Sequence, residues 1–320
     1  MKNFIYLIFA IISLSCNAVQ DQPPQVEITN GLITAKLYLP DAERGYYQGC
    51  RFDWSGVIFE LKYNGHDYFG PWNPIRDPNN HDAISGPVEE FFQIGYEEAP
   101  VGGEFLRIGI GGLLKSDEEE FNRRGFYEFS NPGKWTVSRA KDQIVFTHVL
   151  NDVAGYSYVY EKTVRLIKDK PEMVLAHTLK NTGRKAIETI VYDHNYFTID
   201  HQTTGPDFVV KFTFPLSSLD EIHPAVRFND RQLEYVRALE PEEVTPAIQL
   251  QGHSSSMEDY NFSIENKKTG AAVKITCDRP VIRINYWSRS NALSPEPYIN
   301  LHIQPGESFT WDITYNFYTL

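Results

Sequence analysis

Short alternating runs of apolar and polar residues, closed at close intervals by turn-forming pairs, confine this chain to β-structure. "VEITNGLITAKLYL" reads as two strands around Asn30-Gly31, and "GVIFELKYNGHDYFG" repeats the device at Asn64-Gly65. Asn-Gly between alternating runs is the sequence signal of a type I′ hairpin. Further strands are expected in "WTVSR", "QIVFTHVL", "YSYVYEKTVRLI", "EMVLAHTLKN", "AIETIVYDHNYFTI", "FVVKFTF", "NFSIENKKTGAAVKITC", "VIRINYW" and "ESFTWDITYNFYT". Asn-Thr-Gly at 181–183 and Lys-Thr-Gly at 268–270 mark turns between them. Helical periodicity is absent, apart from short turns expected near Asp117–Asn122 and Pro215–Glu221, and no repeat of fixed period stands out. The chain therefore reads as all-β, with more strands than an immunoglobulin-type sandwich needs, and a large two-sheet antiparallel β-sandwich is expected.

A chain of 320 residues, 42% hydrophobic and with 19 Tyr and 20 Phe, can bury such a sandwich as one unit, here residues 25–320. Its formal charge of −12, with no clustered basic stretch, argues against a nucleic-acid partner. The first residues read as a targeting segment. Lys2 precedes the apolar run Phe4 to Leu14, too short to span a bilayer as a helix, and small residues flank it before Cys16. Residues 1–15 are expected to be a signal peptide. "SLSC" resembles the lipobox of bacterial lipoproteins, with Ser13 where an aliphatic residue is usual, which implies acylation of Cys16 and a polar tether over 16–24. The expected location is the periplasm or cell surface, with membrane contact through the lipid anchor alone; a secreted protein with Cys16 free or paired is the other reading. In an oxidising compartment Cys50 and Cys277 could form one disulfide, or remain two buried thiols. No cofactor or metal motif is present, and "GIGGLL", Gly109 to Leu114, lacks the Lys-Ser/Thr partner of a phosphate loop.

"IVYDHNYFTID", Ile190 to Asp200, places titratable residues inside an apparent strand. Strand side chains alternate, so Ile190, Tyr192, His194 and Tyr196 share one face, and Val191, Asp193, Asn195 and Phe197 the other. His194 thus lies between two tyrosines. Aromatic faces with a few fixed polar groups suit a pyranose, which is apolar on its faces and polar round its edge. A core histidine satisfied by a tyrosine hydroxyl gives the same pattern.

Three segments carry a resemblance to a known family. "DHNYF", Asp193 to Phe197, resembles the "NHxYF" motif of aldose 1-epimerases, the galactose mutarotase family, which implies that His194 is a catalytic acid. "CRFDWSGVIFELKYNGHDY" is similar to the family's early "NRI-x-G-x-F" strand pair and implies a substrate-binding role for Arg51. "ALSPEPYINLHIQPGESFTW" resembles the segment that supplies the family's catalytic base, in a layout nearer the hexose-phosphate epimerase branch, and implies that role for Glu296. The three span most of residues 25–320 and imply the family's sandwich fold. Two positions depart from the pattern. Ser85 in "ISGPVEEF" stands where the family usually offers a histidine, with His81 nearby, and Asp207 is the candidate for a substrate-binding aspartate downstream.

One acid and one base suffice for the implied reaction. Anomer exchange removes the proton on the anomeric hydroxyl and protonates the ring oxygen, so the ring opens, rotates about one bond and closes on the other face. The expectation is an ionised Glu296 and a protonated His194. Pro295 and Pro297 bracket the glutamate and stiffen an extended segment around it. Substrate contacts are expected from Arg51, Tyr192, Tyr196, Asp193, Trp287 and Arg289, though Arg51 could equally pair with Asp53 or Glu60, and Trp72 and Trp287 could be core. Two functions follow: an exported epimerase of the aldose 1-epimerase type, or a non-catalytic carbohydrate-binding protein on the same fold. The expected partner in either case is a sugar or oligosaccharide.

Overall fold

The computed structural model describes residues 22–254 and 256–320; the expected signal peptide and Cys16 lie outside them. Two large sheets carry the chain. One has ten strands and contains, side by side, Ser308–Thr319, Glu172–Asn181, Tyr156–Leu166 and Gln143–Val153. The other has six, in the order Ser217–Ser218, Val244–Gln251, Arg283–Arg289, Ala292–Ile303, Ile187–His194 and Val88–Phe91. A four-stranded sheet from Gln25 to Phe69 and a three-stranded sheet from Glu104 to Asn131 complete the body. Every pairing between these strands is antiparallel.

Alternation sets which side each strand buries. Tyr156–Leu166 turns Tyr158, Tyr160 and Val164 into one continuous core shared with Val191, Ile284 and Ile299 of the six-stranded sheet. Full burial of side chains of this size is worth about 1.5–3 kcal/mol each. The two sheets also meet through polar groups. Glu89 accepts hydrogen bonds from Lys162 and from His177 Nε2 (2.7 Å), and the Tyr315 hydroxyl donates to Asp193 and to Asn195 Oδ1 (2.9 Å). Glu89 is paired, as burial of a charge demands, whereas Asp193 keeps one buried oxygen, Oδ1, without a partner among the described residues.

Two hairpins were expected at Asn-Gly pairs, and they differ. Asn64 and Gly65 both have positive φ (49° and 83°), which is the type I′ geometry, and Tyr63 pairs with His66. At the first, only Gly31 is positive (91°) and the corner shifts to Gly31-Leu32, because Asn30 N–H bonds the Ile33 carbonyl and the Asn30 side chain caps Leu32 and Ile33. No helical turn forms over 117–122 or 215–221; the latter contains the two-residue strand Ser217–Ser218, and the one-turn 3-10 segments lie at Ile199–His201 and Met257–Asp259. Cys50 and Cys277 are buried free thiols, not a disulfide.

Candidate active site

The outer face of the six-stranded sheet forms the floor of the site. Along Ile187–His194, Tyr192 and His194 face outward while Val191 and Asp193 face the ten-stranded sheet. Val88–Phe91 divides its two carboxylates the same way, because Tyr192 pairs with Glu90 and Asp193 with Glu89. On Ala292–Ile303, Ser294 and Glu296 share the outward face, opposite Trp287 and Asn285 of the neighbouring strand. Four outward groups thus meet. His194 Nε2 lies 3.1 Å from Glu296 Oε1, and His194 Nδ1 lies 2.9 Å from Ser294 Oγ. Tyr298 donates a longer bond, 3.5 Å, to Glu296 Oε2.

The expected strand through Ile199 ends earlier, at His194. There the backbone turns, with Tyr196 at φ +39°, a conformation that costs an ordinary residue about 1–3 kcal/mol. The turn folds the Tyr196 ring back onto the imidazole, with centroids 3.6 Å apart and planes 5° from parallel. Trp72 stacks on the far side of Tyr196 at 5.0 Å. Both faces of Tyr196 are therefore taken, so it supports His194 and cannot itself be a stacking platform. Trp287 meets His194, Tyr196 and Trp72 at right angles, at 5.6, 5.8 and 5.5 Å, and is only half-buried.

Arginines close the other wall. The Arg51 Nε–H bonds Glu90 Oε2 (2.8 Å) and its fork reaches the Tyr192 hydroxyl (3.2 Å). Arg123 bonds both Glu90 oxygens (2.5 and 3.1 Å) and the Tyr192 hydroxyl (2.7 Å), and Arg107 reaches Glu90 from behind (3.0 Å). Burial works to raise the Glu90 pKa, and the three guanidinium groups outweigh it and hold the carboxyl well below its ordinary value. Arg51 therefore pairs with Glu90, not with Asp53 or Glu60. Asp53 bonds Ser55 and Tyr160 in the core, and Glu60 pairs with Lys36 and Lys62.

The resulting cleft, about 290 Å³, is lined by His194, Glu296, Arg51, Tyr196, Trp287 and Arg289 among the expected residues. Trp72, Asp82, Arg123, Arg124 and Asn285 line it too. Arg289 bonds Glu242 at the rim (2.8 Å) and lies over Trp72 (5.2 Å). Tyr192 stands behind the wall, its hydroxyl held by Glu90, Arg51 and Arg123. Asp193 is corrected outright: alternation turns it to the inter-sheet side, where Tyr315 holds it. Asp207 is exposed at the start of the strand Phe208–Phe212, away from the cleft, and Ser85 is buried with its hydroxyl on the Gly70 carbonyl (2.9 Å). His81 is occupied by the Tyr47 hydroxyl (3.3 Å) and the Arg124 carbonyl (3.1 Å), so it braces the loop instead of facing the cleft. A larger depression, about 720 Å³ beside Tyr38 and Tyr46, contains no comparable acid–base pair, so size alone does not place the site.

No family model matches the chain, and no curated protein is detectably similar to it. Solved structures are similar over nearly the whole length. A candidate aldose 1-epimerase from Escherichia coli K12 is 14% identical, with 92% of this chain and 99% of that one covered at a TM-score of 0.57. A galactose mutarotase-like protein from Clostridium acetobutylicum is 13% identical, covering 92% and 95% at 0.56, and one from Lactobacillus casei is 13% identical, covering 92% and 100% at 0.53. The chain has the galactose mutarotase-like fold. In this mutarotase-like sandwich the residues that sequence reading missed are Glu90, Arg123, Arg124, Asp82 and Asn285. Glu90 lies on a strand of four residues, too short to show a period, and Arg123 and Arg124 come from an irregular loop where no periodicity applies.

Proposed function

We propose that the cleft binds a sugar and interconverts its anomers, with His194 and Glu296 as the acid–base pair. The observation that carries this reading is the 3.1 Å contact between His194 Nε2 and Glu296 Oε1 on the floor of a cleft walled by arginine and tryptophan. The ring oxygen and the anomeric hydroxyl of a cyclic sugar are bonded to one carbon. A donor and an acceptor that serve both must therefore lie close together, as these two do. One partner takes the hydroxyl proton as the carbon–ring-oxygen bond breaks, and the other protonates the ring oxygen. After rotation the open-chain aldehyde closes and both protons return, so the reaction is balanced and the pair is regenerated. Glu296 as base and His194 as acid is the assignment favoured by the family resemblance.

Arg51, fixed by Glu90 and Tyr192, offers guanidinium N–H groups to sugar hydroxyls without having to be ordered on binding. Trp287 offers a half-exposed indole for the apolar face of the ring. Export and anchoring through Cys16 remain part of the proposal, supported by the leader sequence alone.

The test is a sugar panel followed by polarimetry. His194→Ala and Glu296→Gln are each expected to slow anomer exchange by about 10²–10⁴-fold while the dissociation constant of the bound sugar changes by only about threefold. A wild-type protein that binds a sugar and does not exchange its anomers is a carbohydrate-binding protein, and the catalytic reading is then lost.

A further inference from the structure

The acid–base cleft has a neighbour. Trp72 lines both the cleft and an adjoining depression of about 360 Å³, whose other walls include Tyr38, Tyr46, Phe59, Asn73 and Arg76. The three aromatic rings form a pile: Tyr46 stacks on Tyr38 at 4.0 Å and 7°, and Phe59 on the other side of Tyr38 at 4.2 Å and 26°. All three are only partly buried, and Phe59 belongs to neither apolar core. Its position is set by a bulge. Lys36 pairs with Glu60 and Leu37 with Ile58, so Phe59 is the extra residue of its strand, the arrangement by which a sheet edge re-aims one side chain.

Two polar features adjoin the pile. The Trp72 indole N–H is buried without an acceptor, a donor that otherwise costs stability, and Asn291 fixes the tryptophan backbone from below (2.8 Å). Arg76 is exposed and makes no ion pair among the described residues. Tyr38 is covered on both faces, so the aromatic surface is that of Tyr46 and Phe59 at the ends of the pile; beside the Arg76 guanidinium and the Asn73 amide it matches the apolar face and hydroxyl-bearing edge of a pyranose.

We propose that this depression is a second sugar-binding position, continuous with the acid–base cleft through Trp72, and that the ligand is an oligosaccharide whose reacting unit lies at His194 and Glu296. The proposal rests on the reading of the cleft as a sugar site. It adds that the neighbouring unit lies against the Tyr46–Tyr38–Phe59 pile, with Arg76 on its hydroxyls.

Titration calorimetry of the full chain with linear gluco-, galacto-, manno- and xylo-oligosaccharides of one to four units tests it. For the series that binds, the dimer or trimer is expected to bind at least about tenfold more tightly than its monosaccharide. Tyr46→Ala, Phe59→Ala and the fully surface change Arg76→Ala should each shrink that ratio toward unity. Saturation-transfer NMR on the wild-type protein needs no variant: saturation should reach the ring protons of the second unit as well as the first. Equal affinity for monomer and oligomers, with saturation confined to one unit, overturns the second position and leaves the anomer-exchange reading standing. Failure of every monosaccharide and oligosaccharide to bind overturns both.

Discussion

Burial pushes the Glu296 carboxyl up to about 7, against the pull of Arg51 and Arg123. Burial together with the cations of Arg51, Arg123 and Arg124 holds the His194 imidazole well below its ordinary value. The two groups touch, so they titrate as a pair. In the free cleft the proton therefore rests on the carboxyl and the imidazole is neutral, the reverse of the ionised glutamate and protonated histidine expected from sequence. Both arrangements contain one proton, and the reaction needs that proton to be present. The sign follows: raising pH through about 7 strips the pair of it and leaves a carboxylate beside a neutral imidazole, with no acid. The rate constant kcat/KM for anomer exchange, corrected for the spontaneous rate, should stay level from about pH 5.5 to 6.5 and then fall about tenfold per unit above 7. A rate that climbs through pH 7 would remove His194 from the acid's role. These two residues were legible because each lies in a short recognisable segment. Glu90 was not, because its meaning comes from Arg51, Arg107 and Arg123, which reach it from separate parts of the chain.

The strand Ile187–His194 delivers its histidine by stopping, and the strand Ala292–Ile303 is shaped to let it stop. Their ladder ends at Tyr192 opposite Tyr298, just before the Pro295-Glu296-Pro297 stretch, whose two prolines offer no N–H. Side-chain bonds then replace the ladder. Asn195 N–H donates to Ser294 Oγ (2.9 Å), its amide donates to the Pro295 carbonyl (2.8 Å), and its oxygen accepts from Tyr315 (2.9 Å). Phe197 rejoins at Leu293 (3.0 and 3.1 Å). Asn195→Ala removes two buried side-chain bonds and strands the Pro295 carbonyl, a loss of about 2–4 kcal/mol. Chemical denaturation should show it as a lower midpoint, and exchange should slow more than sugar affinity falls, because the change loosens the base of the Tyr196 turn beneath His194. An unchanged midpoint would mean that the bridge at Phe197 alone holds the turn. Long alternating strands such as Glu172–Asn181 were legible to the residue; this one was overrun by five positions, because alternation continues in sequence after the backbone has turned. Val88–Phe91, Gly111–Leu114 and Gln232–Tyr235, four residues each, were invisible, because so few residues define no period.

The cleft is held in place by what the sheets do on their inner side. Glu89, one residue before the Glu90 that organises the arginines, points inward and clasps Lys162 and His177 of the ten-stranded sheet. Burial works to raise its pKa, but Lys162 and His177 prevail and lower the Glu89 carboxyl to about 2, so it is the charged member of the interface. Burial, reinforced by Glu89, raises Asp193 to about 8, and burial raises Asp53 to about 7, so these two hold protons near neutrality. One buried ion pair thus fastens the six-stranded sheet to the ten-stranded one. Lys162→Met leaves Glu89 buried without its cation and should cost about 3–5 kcal/mol, whereas Lys162→Met with Glu89→Gln should recover most of the loss, since deleting both charges spares their desolvation. Denaturation midpoints at constant slope measure both variants. The folded pKa of Glu89 is depressed below the carboxylate's unfolded value of 4.5, so its contribution is present above that value and lost as pH falls toward 2. The deficit of the single variant should therefore be full at pH 6 and shrink on acidification. Because Val88–Phe91 carries Glu89 on one face and Glu90 on the other, the single variant should also weaken sugar binding, although Lys162 lies across the sandwich from the cleft. A Lys162→Met protein with the wild-type midpoint and affinity would show that hydrocarbon contact alone sets the sheets and that Glu90 stands without the clasp behind it.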